Sequence, residues 1–513
     1  MAWYRAGGSK PKQNKTVTPK ATSQTVKPDA GKELAQVTVN GDADLVAANI
    51  RTGKNIFGID GSYNGEPVIN AIIENYKAAT DNISAATFVK YVEEYGLSLV
   101  GGTTQIYSEY VSYPHTFKLD DSRVLVVYSQ GSSGSLYLYG VVCTISGTTV
   151  TVGSRLRIGT SHVNYGAIWV SGGVLTDGRV LIVYPAAASK YLAASVLSIS
   201  NTTITTSIAE TMLDNSMYYI GDFNHIVMLD NNKAFLTHRN PYGSSNYYGL
   251  DAHILTVTST AITIGTATNL VGKNVNNNYG VKEVSITKLS NNKIFVFYYD
   301  DDAAHRGLYA KVCTISGDTI TSGSDYLLLS FSDNTIAAVA LSESKVFVKY
   351  CDYYSKVMYG TVCNITGNVV TFGEPLALYR TQESIGNASQ GMSLIKLSNN
   401  AVMMLFGLGS ASYKLGVLTA SVMGDAITVN SFLQLSNNSN YGAMNNGANR
   451  LVHVAGNRYF AVGAGTSITP VSILFDAVKG TTGLVPSNNT YEMQGLTKDI
   501  CTPSVAGGVY VLA

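Results

Sequence analysis

The residues best equipped for chemistry are scattered through this chain in no catalytic spacing. Its seven histidines, His115, His162, His225, His238, His253, His305 and His453, form no HExxH pair, and no P-loop or nucleophile-elbow pattern accompanies them. One acidic cluster stands out, Asp300-Asp301-Asp302. It lacks the alternating ligands and glycine turn of a calcium loop, so it is expected to be a solvated loop. Carboxylate pairs of glycosidase type come from distant segments and cannot be read from residue order, but the low acid content makes them scarce. What recurs instead is Asn-Tyr-Gly: Asn164-Tyr165-Gly166, Asn278-Tyr279-Gly280 and Asn440-Tyr441-Gly442, with Asn246-Tyr247-Tyr248-Gly249 as a variant. A tyrosine ring offers a flat apolar face with a polar tip, and an asparagine amide offers a donor and an acceptor together. That pairing suits sugars, which have apolar ring faces and hydroxyl edges. The candidate ligand-binding residues are therefore Asn164, Tyr165, Asn246, Tyr247, Asn278, Tyr279, Asn440 and Tyr441, with no catalytic or metal-ligating residue and no cofactor.

These residues are positioned by a repeat. A tight turn followed by an apolar strand occurs seven times, at Arg123, Arg179, Lys233, Lys293, Lys345, Ala401 and Arg458, at intervals of 52 to 60 residues. The fourth copy displays the plan. Val281 to Leu289 alternates polar and apolar and predicts a strand A, and Ser290-Asn291-Asn292 makes a turn. Lys293 to Tyr299, almost continuously apolar, predicts a strand B buried on both faces. Gly307 to Ile315 predicts strand C, Ser316-Gly317-Asp318 a hairpin turn, and Thr319 starts strand D. Four antiparallel strands per unit, seven times over, predict an all-β protein: a seven-bladed β-propeller of four-stranded blades across 97–513. The Asn-Tyr-Gly segments then fall in D–A connections and one B–C loop, which emerge on the same face. No GH…WD, double-glycine or S-x-D-x-G-x-T-W blade signature is present. The outer strand of the seventh unit is weak; the tail at 495–500 and 508–512 is expected to finish it, with Leu97 to Ile106, entering from the other end of the chain, as the alternative.

Composition sets outer limits. Of 513 residues only 13% are charged, and polarity comes from Ser, Thr, Asn and Gly, as in a turn-rich β protein. A net charge of +1 gives no case for nucleic acid, and no apolar run is long enough to insert in a membrane. Cys143, Cys313 and Cys363 occupy one repeat position, too far apart for bridging in different blades, and read as buried apolar residues. The first residues lack the apolar run of a secretory leader, which predicts synthesis in a cytosol and release, if at all, by another route.

The N-terminal quarter differs in character. Residues 1–14 read as an arm. Residues 15–63 read as a small β module punctuated by Pro19, Pro28, Asn40-Gly41 and Gly53. Residues 64–96 read as a short helical stalk: Asn64 and Pro67 open one helix with Val68, Ile69, Ile72, Ile73 and Tyr76 on its apolar face, and Ser84 caps a second with Phe88, Val89, Val92 and Tyr95 inward and Gly96 as its stop. The stretch Lys15-Thr-Val-Thr-Pro19, Gln24-Thr-Val-Lys-Pro28-Asp-Ala-Gly31, Leu34-Ala-Gln-Val-Thr-Val39 and Asn55-Ile-Phe-Gly-Ile59-Asp-Gly61 resembles the N-terminal module of tail fibre and receptor-binding (tail-tip) proteins of phages and phage-tail-like bacteriocins of low-GC Gram-positive bacteria. The resemblance covers about a tenth of the chain. It implies a virion or particle component held by phage tail or baseplate proteins through this module, commonly as a homotrimer. Joined to the propeller, it implies a non-enzymatic protein that binds host cell-wall polysaccharide or teichoic acid. A glycan depolymerase on the same scaffold and a purely structural tail component are the alternatives.

Overall fold

The computed structural model describes residues 24–27, 29–30, 32, 37–39, 55–56, 59–60, 72–76, 78, 83, 88–109, 111–132, 135–163, 170–186, 191–214, 225–230, 232–242, 245–272, 280–302, 305–330, 333–352, 357–380, 393–408, 414–435, 450–465, 468–486, 495–497 and 507–511. The chain divides into two compact units, 1–71 and 72–513. In the first, Gln24–Val26 pairs antiparallel with Val37–Val39, and Asn55–Ile56 with Ile59–Asp60. The turn at Asn40-Gly41 and most of the expected module lie outside the described residues.

The second unit is a seven-bladed β-propeller, and among the described residues it is all strand and turn. Blade 1 runs outward through Ser112–Lys118, Arg123–Ser132 and Ser135–Ser146, then an outer strand in two pieces, Thr149–Val152 and Leu156–Val163. Blade 4 repeats this plan with Val281–Ser290, Lys293–Asp300, Gly307–Ser316, Thr319–Ser322 and Tyr326–Leu329. The other second strands begin at Val180, Lys233, Lys345, Ala401 and Arg458, at or next to the turns that marked the repeat. These strands are buried on both faces. Ala401–Leu408, for example, is buried along its whole length.

The ring closes through its seams. Each apolar cluster joins two successive blades, beginning with Leu125 and Val127 of blade 1 against Ile182 and Tyr184 of blade 2. The last joins Phe460, Val462 and Leu474 of blade 7 to Val124, Val126 and Val141 of blade 1. A blade therefore has no core of its own, and its burial depends on both neighbours. The inner strands Ser171–Val174 and His225–Met228 are partly exposed throughout, as strands bordering an axial channel must be. Inner strands are also tied sideways. The Ser171, Ser285, Thr287 and Ser393 hydroxyls accept from the backbone N–H groups of Ile226, Ala338, Ala340 and Arg450 of the following blade, at 2.7 to 3.0 Å.

Two expectations are corrected here. Residues 88–99 are a strand, where a helix over 84–96 was expected, and Ile72–Tyr76 is a strand where the first helix was expected to end. The apolar positions of FVKYVEEYGLSL fit either period. Val89, Tyr91 and Tyr95 also lie on one face of a strand, and all three are buried. The unpaired third strand of blade 7, Ile468–Pro486, decides between the two, because its backbone groups need a partner. The second correction follows from the first. Phe88–Leu99, from the N-terminal side, supplies the outer strand of blade 7, while the tail strands Gly495–Thr497 and Gly507–Val511 only extend that sheet outward, ending on Ile72–Tyr76.

Candidate functional site

The antiparallel register gives the ring two unlike ends. At one end are the turns between first and second strands and between third and fourth strands, and these are short. In blade 4, Ser290 pairs with Lys293 and Ser316 with Thr319, so each turn has two central residues. Gly147, Gly317, Gly367 and Gly424 hold the third-to-fourth turns at φ between 57° and 65°, and Asn201 does so in blade 2 at 52°.

The basic residues of the repeat turns have a task at this end that sequence reasoning missed. Each reaches across a seam to the third-to-fourth turn of the next blade. Arg123 donates to the Asn201 carbonyl at 2.8 Å, Arg179 to that of Thr258 at 2.8 Å, Lys293 to that of Gly367 at 3.1 Å and Lys345 to that of Gly424 at 3.0 Å. Lys233 meets the Asp318 carboxylate at 2.6 Å. Arg458 of blade 7 completes the ring on the Gly147 carbonyl of blade 1. This end is a girdle of cross-seam bonds whose cations are already engaged.

The opposite end carries the long connections: 164–170, 215–224, 272–280, 381–392 and 435–450 between blades, with the loops between second and third strands beside them. Asn164, Tyr165, Asn278, Tyr279, Asn440 and Tyr441 fall in these connections and lie outside the described residues. Asn246 and Tyr247 sit at the start of Ser245–Val257, just after the hairpin that pairs Tyr242 with Ser245, and their side chains are likewise not described. The described strands that flank these segments begin or end on the side of the ring opposite the short turns. The distances between their side chains are outside the described residues.

Three described polar groupings stand out, the first of them at this end. The first is the acidic triplet of blade 4. Expected to be solvated, Asp300, Asp301 and Asp302 are instead 9%, 6% and 3% exposed. The reason is compensation. Asp301 pairs with Lys282 and with Arg306 at 2.9 Å and accepts from the Tyr299 hydroxyl at 2.8 Å, while His305 Nδ1 stands 3.8 Å from Asp302. Asp300 accepts from the Asp302 backbone N–H, yet burial and the neighbouring carboxylates of Asp302 and Asp301 push its carboxyl above the usual range. Two adjacent carboxyls thus sit in unlike surroundings, one salt-bridged and one raised by burial, a contrast of the kind that general acid–base chemistry uses. Among the described residues no group of three His, Cys, Asp or Glu has the arrangement of a metal site.

The second feature borders the channel. Burial, helped by the positive charge of Arg450, lowers the His115 imidazole to about 3, and burial lowers that of His225 to about 4. Three blades thus contribute nitrogen groups to one region, with both imidazoles neutral at pH 7. The third feature is a polar core inside the blades. The Tyr184 hydroxyl lies 3.0 Å from Ser195 Oγ and donates to Glu210 at 3.1 Å, and that of Tyr298 donates to Asp325 at 2.5 Å, where Lys311 Nζ also sits at 2.8 Å. At the matching place in blade 3, His238 and His253 meet through Nε2 at 2.9 Å. The signal for these was the tyrosine recurring five residues after the turn, at Tyr128, Tyr184, Tyr298 and Tyr350.

No protein-family model matches the chain, and no curated protein matches it. Solved structures do resemble it. A protein of unknown function from Dyadobacter fermentans is 11% identical over 74% of this chain and 99% of its own, with a TM-score of 0.41. Puromycin hydrolase is 12% identical over 76% of this chain and 56% of its own, TM-score 0.45. The NanB sialidase of Streptococcus pneumoniae is 10% identical over 61% of this chain and 68% of its own, TM-score 0.41. These likenesses are of fold alone. They correct one expectation: the chain was read as non-enzymatic, but the propellers it resembles include enzymes. The architecture therefore does not set it apart from catalysts, and no activity passes to it from them.

Proposed function

We propose that this chain is a tail-fibre or receptor-binding protein of a phage or phage-derived particle, joined by its N-terminal segment to tail or baseplate proteins. The loop-bearing end of its propeller meets host cell-wall polysaccharide or teichoic acid. The observation that carries the reading is the contrast between the two ends. One is closed by short turns and cross-seam bonds. At the other the described strands are joined by the long connections, three of which carry Asn-Tyr-Gly in their sequence, and in repeat proteins such insertions concentrate on the binding face. The resemblance of residues 15–61 to tail modules supports the particle assignment, and a trimer would multiply weak contacts into firm attachment.

The test is retention on immobilised Gram-positive wall glycan. Stacking of a sugar on one tyrosine is worth about 1 kcal/mol, so Tyr279→Ala or Tyr441→Ala should weaken binding about fivefold and the double variant about 25-fold. Unchanged retention by the double variant overturns the site. A second reading, glycan cleavage at the same end, is favoured by the unlike pair Asp300 and Asp301. Release of reducing ends by the wild type, lost in Asp300→Asn, would select it.

A further inference from the structure

The girdle has one break. At Ala401 of blade 6 the cation is missing, and the next blade has no third-to-fourth turn to receive one, since its outer strand arrives from residues 88–99. The seam is held differently. Glu93 of that strand is 1% exposed, and its carboxylate accepts from Ser398 at 2.8 Å, from Tyr95 at 2.8 Å, from Tyr91 at 3.2 Å and from Lys479 at 2.7 Å. Ser398 belongs to the blade 6 turn and Lys479 to the third strand of blade 7, so one carboxylate ties the closing strand to both blades. Asn430 and Ser421 of blade 6 add bonds to the backbone carbonyls of Glu93 and Tyr91 at 2.9 and 3.2 Å. Opposite Glu93, between Lys479 and Thr482, the pairing with the third strand slips register, so the ladder is interrupted where the carboxylate sits.

We propose that Phe88–Leu99 is a releasable strap: protonation of Glu93 frees this strand from the seam of blades 6 and 7 while the seams held by the girdle stay shut. Burial alone would raise the Glu93 carboxyl, but the bonds from Lys479, Ser398 and Tyr95 outweigh it and hold the group below the usual range. Its contribution is therefore complete above the ordinary carboxylate range and is lost as the pH falls through the lowered value. Among the described residues Glu93 itself meets Lys479 from blade 7, Ser398 and, through its backbone carbonyl, Asn430 from blade 6, and Tyr91 and Tyr95 on its own strand; around those two tyrosines stand Tyr459 of blade 7 and Asn400 and Ser421 of blade 6. Lys479 is the sole cation among them, and it is 49% exposed, so proton uptake by Glu93 removes the charge pairing of the seam. The girdle's cross-seam acceptors are backbone carbonyls, which do not titrate, Lys233 excepted; the ion pairs of Arg123, Arg179 and Arg458 with Asp120, Asp177 and Asp476 stay within one blade.

Amide hydrogen exchange, expressed as protection relative to an unstructured chain at the same pH, tests this. Between pH 7 and pH 3 the protection of 88–99 should fall at least tenfold more than that of 180–186. Glu93→Gln should already show the low protection at pH 7 and lose most of the pH dependence. Ser398→Ala keeps the carboxylate but removes one of the bonds that lower it, so release should begin at higher pH. The proposal is overturned if the two segments lose protection in step in the wild type. It is equally overturned if Glu93→Gln is as protected as the wild type at pH 7, or if Ser398→Ala leaves the release pH unchanged.

Discussion

Arg179→Met isolates one bond of the girdle. The arginine side chain is 15% exposed, spans the seam to the Thr258 carbonyl at 2.8 Å, and pairs on its own turn with Asp177 at 2.7 Å. Methionine keeps the stem and removes the charge. A hydrogen bond from a charged donor to a carbonyl contributes about 1.5–3 kcal/mol, and the Asp177 pair, 38% exposed on the acid side, adds well under about 1 kcal/mol after screening. The expected loss is about 2 kcal/mol. At about 2 cal/mol/K of unfolding entropy per residue, a ring of about 400 residues melting as one unit should drop about 2–3 °C in a calorimetric scan. Asp177→Ala separates the two contacts and should cost less than half as much. Ala401→Lys is the counterpart. Ala401 is fully buried, and a lysine there meets no turn carbonyl, so adding the girdle's own cation should destabilise by about 1–3 kcal/mol through overpacking alone. If Arg179→Met melts with the wild type, or if Asp177→Ala costs as much, the cross-seam bond is not what the turn cation is for.

Other outcomes follow from the same structure. Gly317 lies at φ 63° with open space where a Cβ would stand, so Gly317→Ala should cost about 1–2 kcal/mol from backbone strain alone. Gly317→Asn should cost less, because Asn201 holds that conformation in blade 2, and urea midpoints of the two variants decide. His115, lowered to about 3 from its ordinary value, stays neutral in the fold while the unfolded chain takes up a proton below about pH 6.5. Stability should therefore fall as the pH drops below 6.5, by up to about 1.4 kcal/mol per unit, and His115→Asn should flatten that slope. A urea midpoint independent of pH between 7 and 4.5 would refute it.

The propeller was legible because each repeat marks its second strand with a polar or basic turn and a doubly buried apolar run, and because Gly147, Gly317 and Gly367 punctuate the hairpins with the one residue that freely adopts positive φ. The closing strand was legible only in part, through the alternative of Leu97 to Ile106, of which Leu97, Thr104 and Gln105 do pair with the third strand of blade 7. Residues 88–99 satisfy a helical period as well as a strand period, and only the unpaired Ile468–Pro486, nearly four hundred residues away, chooses between them. The burial of Asp300 to Asp302 was hidden for the same reason: the cations that permit it, Lys282 and Arg306, look like ordinary surface residues in sequence. The proposed binding residues Asn164, Tyr165, Asn278, Tyr279, Asn440 and Tyr441 lie outside the described residues, and the direction of the flanking strands says nothing of their side chains.

The girdle is a different case, because its pattern was present in the sequence as a separation. Each engaged cation, from Arg123 to Lys345, finds its partner 74 to 85 residues downstream, one repeat plus the distance from a repeat turn to the next hairpin. Continuing that rule from Ala401 would reach past residue 474, into a third strand that runs on to Pro486 without turning. The alanine and the missing hairpin are thus one fact. A propeller closed by a strand from the other end of the chain must break the girdle at the blade before the closure. A repeat whose turn lacks its cation therefore locates the seam where the strand from the opposite terminus enters. Arg458, one blade later, regains its partner only because the ring returns it to Gly147 of blade 1.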